Sequence, residues 1–204
     1  MKKINELFIS FEGPEASGKS SQIILLKKYL IKKNIPYLIT REPGGTKIAE
    51  KLRNIILNKK YNISFLQEIL LLMASRSHHI DKIILPALKK GKVVISDRFA
   101  DSTFVYQGFV NGFTIKKAQY LHKIILNNFL PSKTFLFDLS PEDIILRLKK
   151  RKNKNKYDKI EINFHKNVLL GYKKISKKNN RFIKIDASQK KQYIHEQIIK
   201  KLGI

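Results

Sequence analysis

The chain has 204 residues, and its 42 lysines and arginines against 16 aspartates and glutamates give a formal net charge of +26. That length fits one large domain, and 43% hydrophobic residues are too many for a disordered chain. The absence of cysteine excludes disulfides and thiolate-bound metals, and the five histidines show no metal-ligand spacing.

Residues Met1–Glu6 are polar and lead into the chain without the apolar stretch of a secretion signal. No apolar run approaches the roughly 18 residues of a membrane span. A cytoplasmic protein without a membrane partner is expected. Leu7–Phe11 is the first of five short apolar runs that read as buried parallel strands. The others are Tyr37–Thr40, Val93–Ser96, Thr134–Leu139 and Phe182–Ile185. Helical patterns lie between them: Ser20–Lys33, a helix from Thr46, and the long mixed pattern Phe65–Lys89. Ile115–Leu126, Pro141–Lys150, Ile162–Lys177 and Gln192–Leu202 follow. Pro141 with Glu142 and Asp143 behind it marks a helix start, because proline suits the first helical position and carboxylates favour the positive end. Strands alternating with helices predict an α/β fold, a three-layer α/β/α domain around a five-stranded parallel sheet, occupying residues 1–204. The one low-complexity segment is Lys149–Lys156, read as a mobile, solvated loop. Lysine is otherwise spread along the whole chain rather than gathered in a patch, so no nucleic-acid partner is expected from the charge.

Between the first strand and the first helix stands Gly13-Pro14-Glu15-Ala16-Ser17-Gly18-Lys19-Ser20, followed by Ser21. The pattern G-x-x-x-x-G-K-S is a P-loop. Its glycines let successive backbone N–H groups turn inward onto phosphate oxygens, and the following helix offers its positive end to the same anion. Lys19 reaches the β- and γ-phosphates, and Ser20 can ligate Mg2+. A P-loop predicts binding of a nucleoside triphosphate and leaves the acceptor open. Two further stretches fall at the carboxyl ends of predicted parallel strands, where open α/β sheets bind ligands. Arg41 offers a forked guanidinium suited to phosphate, with Pro43 stiffening the turn. Asp97 can hold Mg2+ directly or through water, and Arg98 can clamp an acceptor phosphate.

These stretches resemble thymidylate kinases. The resemblance rests on Phe11-Glu12-Gly13, Thr40-Arg41-Glu42-Pro43-Gly44-Gly45-Thr46 and Ser96-Asp97-Arg98-Phe99, together with Ser102-Thr103, Tyr106-Gln107-Gly108 and Asp186-Ala187-Ser188-Gln189. It implies a P-loop NTPase fold and transfer of the γ-phosphoryl group of ATP to dTMP with Mg2+. It also implies a homodimer packed through helices. By the same resemblance Glu12 approaches the sugar 3′-hydroxyl, Arg76 hydrogen-bonds the thymine ring, and Ser102, Thr103, Tyr106 and Gln107 face the nucleoside. The loop around Ala187 lies beside adenine. Two departures stand out. Leu72 occupies the place of a phenylalanine that stacks on thymine, and the P-loop carries no arginine. The resemblance therefore assigns the catalytic charge to a lid at about residues 147–161, with Arg147, Lys149 and Arg151 as candidates and Arg151 as the transition-state group. The lid ends in Asp158-Lys159-Ile160-Glu161, where Lys159 replaces an arginine of the family pattern. The readings left open are a kinase for another nucleotide or deoxynucleoside, and a nucleic-acid-binding ATPase.

Overall fold

The computed structural model of the chain describes residues 7–58, 60–150 and 162–204. Strands β1 (Phe8–Glu12), β2 (Tyr37–Arg41), β3 (Val93–Asp97), β4 (Lys133–Asp138) and β5 (Phe182–Asp186) form one sheet in the order β2-β3-β1-β4-β5. Every neighbouring pair is parallel. Parallel neighbours need crossover connections, and helices supply them on both faces. The expected three-layer α/β/α fold is the one found.

The strands are apolar throughout because both faces are covered. Ile9, Phe11, Val93, Ile95, Phe135 and Phe137 face one layer, α1 (Lys19–Lys32), α7 (Pro141–Lys149) and α9 (Lys191–Leu202), through Leu26, Leu30, Ile144, Ile194 and Ile198. Phe8 and Val94 point the other way, as the two-residue period of a strand requires. They meet Ile69 and Met73 of α3 (Phe65–His79), Ala87 of α4 (Leu85–Lys89) and Ala118 of α6 (Ile115–Leu126). Each fully buried Val, Leu, Ile, Phe or Met among them contributes roughly 1.5–3 kcal/mol.

The remaining helices are α2 (Lys47–Leu57), α5 (Ala100–Thr103) and α8 (Ile162–Ser176). Helix α2 starts where Thr46 caps the Ala49 N–H, and α3 starts in a reciprocal capping box of Ser64 and Gln67. Two differences from the sequence reading matter. The single pattern Phe65–Lys89 is broken by a π-helical turn at Ile80–Ile84, and α5 continues as a π-helical stretch, Phe104–Val110, that apolar periodicity did not reveal. π-helical geometry often marks functional sites. Here it puts Gln107 beside Glu68 of α3 and Tyr106 beside Glu15 of the P-loop.

Candidate active site

Strands β1 and β3 are neighbours, with Phe11 in register with Asp97. Their carboxyl ends therefore set the P-loop against Asp97 and Arg98. Gly13, at φ 133°, could carry no side chain, since a Cβ would sit 2.5 Å from the Phe137 carbonyl oxygen. The loop wraps its own lysine: Lys19 Nζ donates to the Gly13 and Pro14 carbonyls at 3.1 and 2.7 Å. Burial, helped by the Arg98 charge, pulls the Lys19 pKa down to about 8. Ser20 Oγ donates to Asp97 Oδ2 at 3.0 Å, so the two predicted metal ligands are adjacent. A hydroxyl and a carboxylate are oxygen donors that suit Mg2+. No group of three or more histidine or carboxylate side chains is poised for a metal among the described residues. The pair therefore fits a cation held partly by phosphates and water. Ser21 follows on the exposed side of α1.

The loop opens into a cavity of about 380 Å3. Arg41, Pro43, Leu72, Arg76, Arg98, Ser102, Thr103, Tyr106 and Gln107, all singled out in the sequence, line it. They come from the end of β2 and the turn behind it, α3, the residue after β3, α5 and the π-helical stretch, so tertiary packing alone unites them.

Glu12 sits apart from the residues singled out in the sequence that line the cavity. The residue expected at the sugar 3′-hydroxyl does not line the cavity and is completely buried beneath it. Its Oε1 accepts from the Phe99 N–H at 2.7 Å, and its Oε2 accepts from the hydroxyls of Ser102 at 2.7 Å and Tyr172 at 2.9 Å. Burial, reinforced by the Asp101 carboxylate, pushes its pKa up to about 7. Glu15 of the P-loop is a carboxylate that does line the cavity, beside Arg98. It accepts from Arg98 Nη2 at 2.8 Å and from the Tyr106 hydroxyl at 2.8 Å. Burial works against its charge, but Arg98 and Lys19 hold its pKa below the usual carboxylate range. Arg98 also donates to Gly13 O and Ser102 Oγ, both at 3.0 Å. Its backbone sits at φ 69°, a strained conformation for a side-chain-bearing residue. The guanidinium bonds and the Arg98 N–H to Phe11 O bond of 3.0 Å hold it there.

The Thr40–Thr46 stretch folds into a hydrogen-bonded turn. Arg41 reaches the cavity and pairs with Glu50 at 2.8 Å, while Glu50 Oε1 also accepts the Gly45 N–H at 3.0 Å. Glu42 is buried. Arg76 Nε donates to it at 2.6 Å, and His79 Nδ1 lies 3.0 Å from its other oxygen. Burial opposes the Glu42 charge, yet Arg76 and His79 keep its pKa below the usual range. His79 Nε2 lies 2.7 Å from Thr40 Oγ1, and a Cβ on Gly45 would fall 2.4 Å from that nitrogen. Glycine at 45 is thus required by the imidazole. Arg76 also donates to Thr103 Oγ1 at 2.8 Å, so its plane is held from two sides.

At the far side of the P-loop, Ala187 is buried and its carbonyl accepts from Arg147 Nη2 at 2.8 Å. Arg147 also donates to Ala16 O at 3.4 Å. Expected as a lid charge, Arg147 instead lies on α7 and staples the P-loop to the 186–189 turn. Asp186 closes that turn by accepting from Ser188 and Gln189. Arg151 and the rest of 151–161, including Asp158, Lys159 and Glu161, lie outside the described residues. Sequence reasoning passed over three groups in the site. Arg53 lines the cavity and donates to Pro43 O at 2.7 Å, Glu68 lines it near Leu72, and His79 supports Glu42. Helical spacing was the one available signal, with Arg53 on α2 and Glu68 one turn before Leu72.

The family model for thymidylate kinase matches residues 11–198. Thymidylate kinase of Thermoanaerobacter sp. (strain X514) is 42% identical over 196 residues, 94% of this chain and 95% of that protein. Thymidylate kinase of Mycoplasma capricolum is also 42% identical, over 95% of this chain and 93% of its own length. The crystal structure of thymidylate kinase from Ehrlichia chaffeensis superposes with a TM-score of 0.77 at 33% identity, covering 98% of this chain and 100% of that one. A P-loop facing a cavity that is lined by arginines and floored by apolar side chains, in a chain matched over nearly its whole length, places this protein in the thymidylate kinase family.

Proposed function

We propose that the chain transfers the γ-phosphoryl group of ATP to dTMP, with Mg2+. The observation that carries this reading is one cavity whose lining gathers three chemistries. Lys19, Ser20 and Asp97 line it together with Arg41, Arg53 and Arg98 and with Leu72, Arg76 and Gln107. Those groups suit a triphosphate with its cation, an acceptor phosphate and a base.

The P-loop N–H groups and Lys19 bind the β- and γ-phosphates. Lys19 exchanges its carbonyl partners for phosphate oxygens, whose negative charge raises its pKa again. Ser20 and Asp97 would hold Mg2+, which when bound neutralises charge on the phosphate oxygens. Arg98 and Arg41 orient the acceptor phosphate for in-line attack, and Arg98 serves the transferring group as well. Glu15, rather than Glu12, faces the deoxyribose hydroxyl, while Glu12 holds Ser102 and the Phe99 backbone behind Arg98. Arg76, Thr103, Tyr106 and Gln107 face the nucleoside, and Leu72 covers the base. The backbone near Ala187 takes adenine. Arg151, outside the described residues, supplies the cationic charge that the P-loop lacks.

The whole chain acts as one kinase domain, in the cytoplasm, as a homodimer. No helix among the described residues is long and apolar enough to cross a membrane. An exposed apolar face supports the dimer: Leu66 and Leu70 of α3, with Tyr120 and Ile124 of α6. The test of the acceptor is an assay of purified protein with ATP and Mg2+ against dTMP, dUMP, dCMP, dGMP and thymidine. Turnover highest with dTMP is expected. Thymidine outcompeting dTMP would overturn the assignment.

A further inference from the structure

Residues 68, 72 and 76 are spaced four apart on α3, so Glu68, Leu72 and Arg76 lie on one face, and all three line the cavity. Opposite them, Gln107 is brought in by the π-helical stretch. On its other side the stretch packs closely on α6 at Gly108, where a Cβ would lie 3.2 Å from the Ile115 backbone. Gln107 Nε2 donates to Glu68 Oε1 at 2.7 Å, with the two residues 4% and 7% exposed.

We propose that Glu68 is a positioning residue for base selection, fixing which end of the Gln107 amide the base meets. The inference rests on the dTMP reading. A carboxylate only accepts, so the amide must turn its NH2 toward Glu68. The reverse orientation would place two acceptors 2.7 Å apart. Gln107 Oε1 is left as the free end. It makes no other hydrogen bond among the described residues and is not sealed from solvent, so it opens to the cavity its residue lines. Arg76, on the same cavity, carries donors only. The wall thus presents donors beside an acceptor. Thymine and uracil have the matching edge, an O4 acceptor beside an N3–H donor. Cytosine has the reverse, a 4-amino donor beside an N3 acceptor, and would leave buried polar groups unpaired. Glu68 selects against cytosine without touching the base.

The test compares kcat/KM for dTMP, dUMP and dCMP in wild type, E68Q, Q107L and E68Q/Q107L. In E68Q the 107 amide is free to turn either way. The preference for dTMP over dCMP is expected to fall about tenfold, mainly through KM, while the dTMP to dUMP ratio stays unchanged. Q107L should lose the same preference, and the double variant should match Q107L. Equal change with all three acceptors, or a further shift of selectivity in the double variant, would overturn the proposal. Q107L gives the same reading from the other partner should E68Q fold poorly. A wild-type enzyme that fails to favour dTMP over dCMP would sink the dTMP reading itself, before any substitution.

Discussion

By the resemblance drawn from the sequence, Leu72 stands in the place of a phenylalanine that stacks on thymine. It is buried, lines the cavity and presents apolar surface without a ring face. Aromatic stacking adds about 0.5–1.5 kcal/mol beyond area burial. Leu72→Phe should therefore lower KM for dTMP about threefold to tenfold with kcat little changed, as steady-state kinetics would reveal. An unchanged or raised KM would mean that residue 72 does not face the base. Glu12 carries the other residue-scale prediction. Its folded pKa of about 7 stands above the ordinary 4.5. Between those values the folded protein holds a proton that the unfolded chain has released. This group therefore makes stability fall as pH rises from 4.5 to 7, and its effect levels off above 7. The gap corresponds to about 3 kcal/mol. Glu12→Gln removes the titration, so wild type should lose about 3 kcal/mol relative to the variant across that range, measured by urea unfolding at several pH values. A difference independent of pH would refute the assignment.

At the scale of elements, every strand ends on a charged residue: Glu12, Arg41, Asp97, Asp138 and Asp186. Four of the apolar runs stop one residue short of these ends, and Thr134–Leu139 runs one residue past Asp138. Arg41 and Asp97, at two of those ends, line the cavity. The short helix α5 needs its own anchor. Asp101, fully buried, accepts from Arg181 at 2.7 and 2.5 Å, which ties α5 to the residue before β5. Removing one partner of a buried ion pair leaves an uncompensated charge and costs roughly 3–5 kcal/mol. Asp101→Asn should lower the denaturant midpoint accordingly. It should also loosen Ser102, one residue along, and so raise KM for dTMP. A stability change well under 1 kcal/mol would show that the pair is not an anchor.

At the scale of the whole molecule, the exposed apolar face of α3 and α6 is the test of the proposed dimer. Leu66 and Leu70 are one helical turn apart and about half exposed, as are Tyr120 and Ile124 on α6. Wild type should elute in light scattering at twice the chain mass of 23.8 kDa. Leu70→Glu, which sets a charge in an apolar contact, should elute at the single-chain mass. A monomeric wild type would overturn the dimer. The charge of +26 belongs to the same scale. Spread over the surface, it favours encounter with anionic nucleotides in a salt-dependent way.

The alternation of apolar runs with helical patterns determined the layered parallel sheet, because buried parallel strands leave a continuous hydrophobic trace. The P-loop, the Arg41 turn and Asp97-Arg98 were equally legible, since phosphate binding there depends on local backbone geometry and on residues adjacent in the chain. Three things were decided only by tertiary structure. Glu12 and Glu15 stand three residues apart, and only packing under Phe99 and Tyr172 sends one carboxylate beneath the site and the other to its wall. Arg147 looks like a lid charge until α7 brings it to the Ala16 and Ala187 carbonyls. Glu68 and Gln107 are 39 residues apart and meet because α3 packs beside a π-helical stretch that no periodicity announced. Sequence spacing carries what one segment does with its own backbone. The direction in which a side chain finishes depends on what the rest of the fold puts against it.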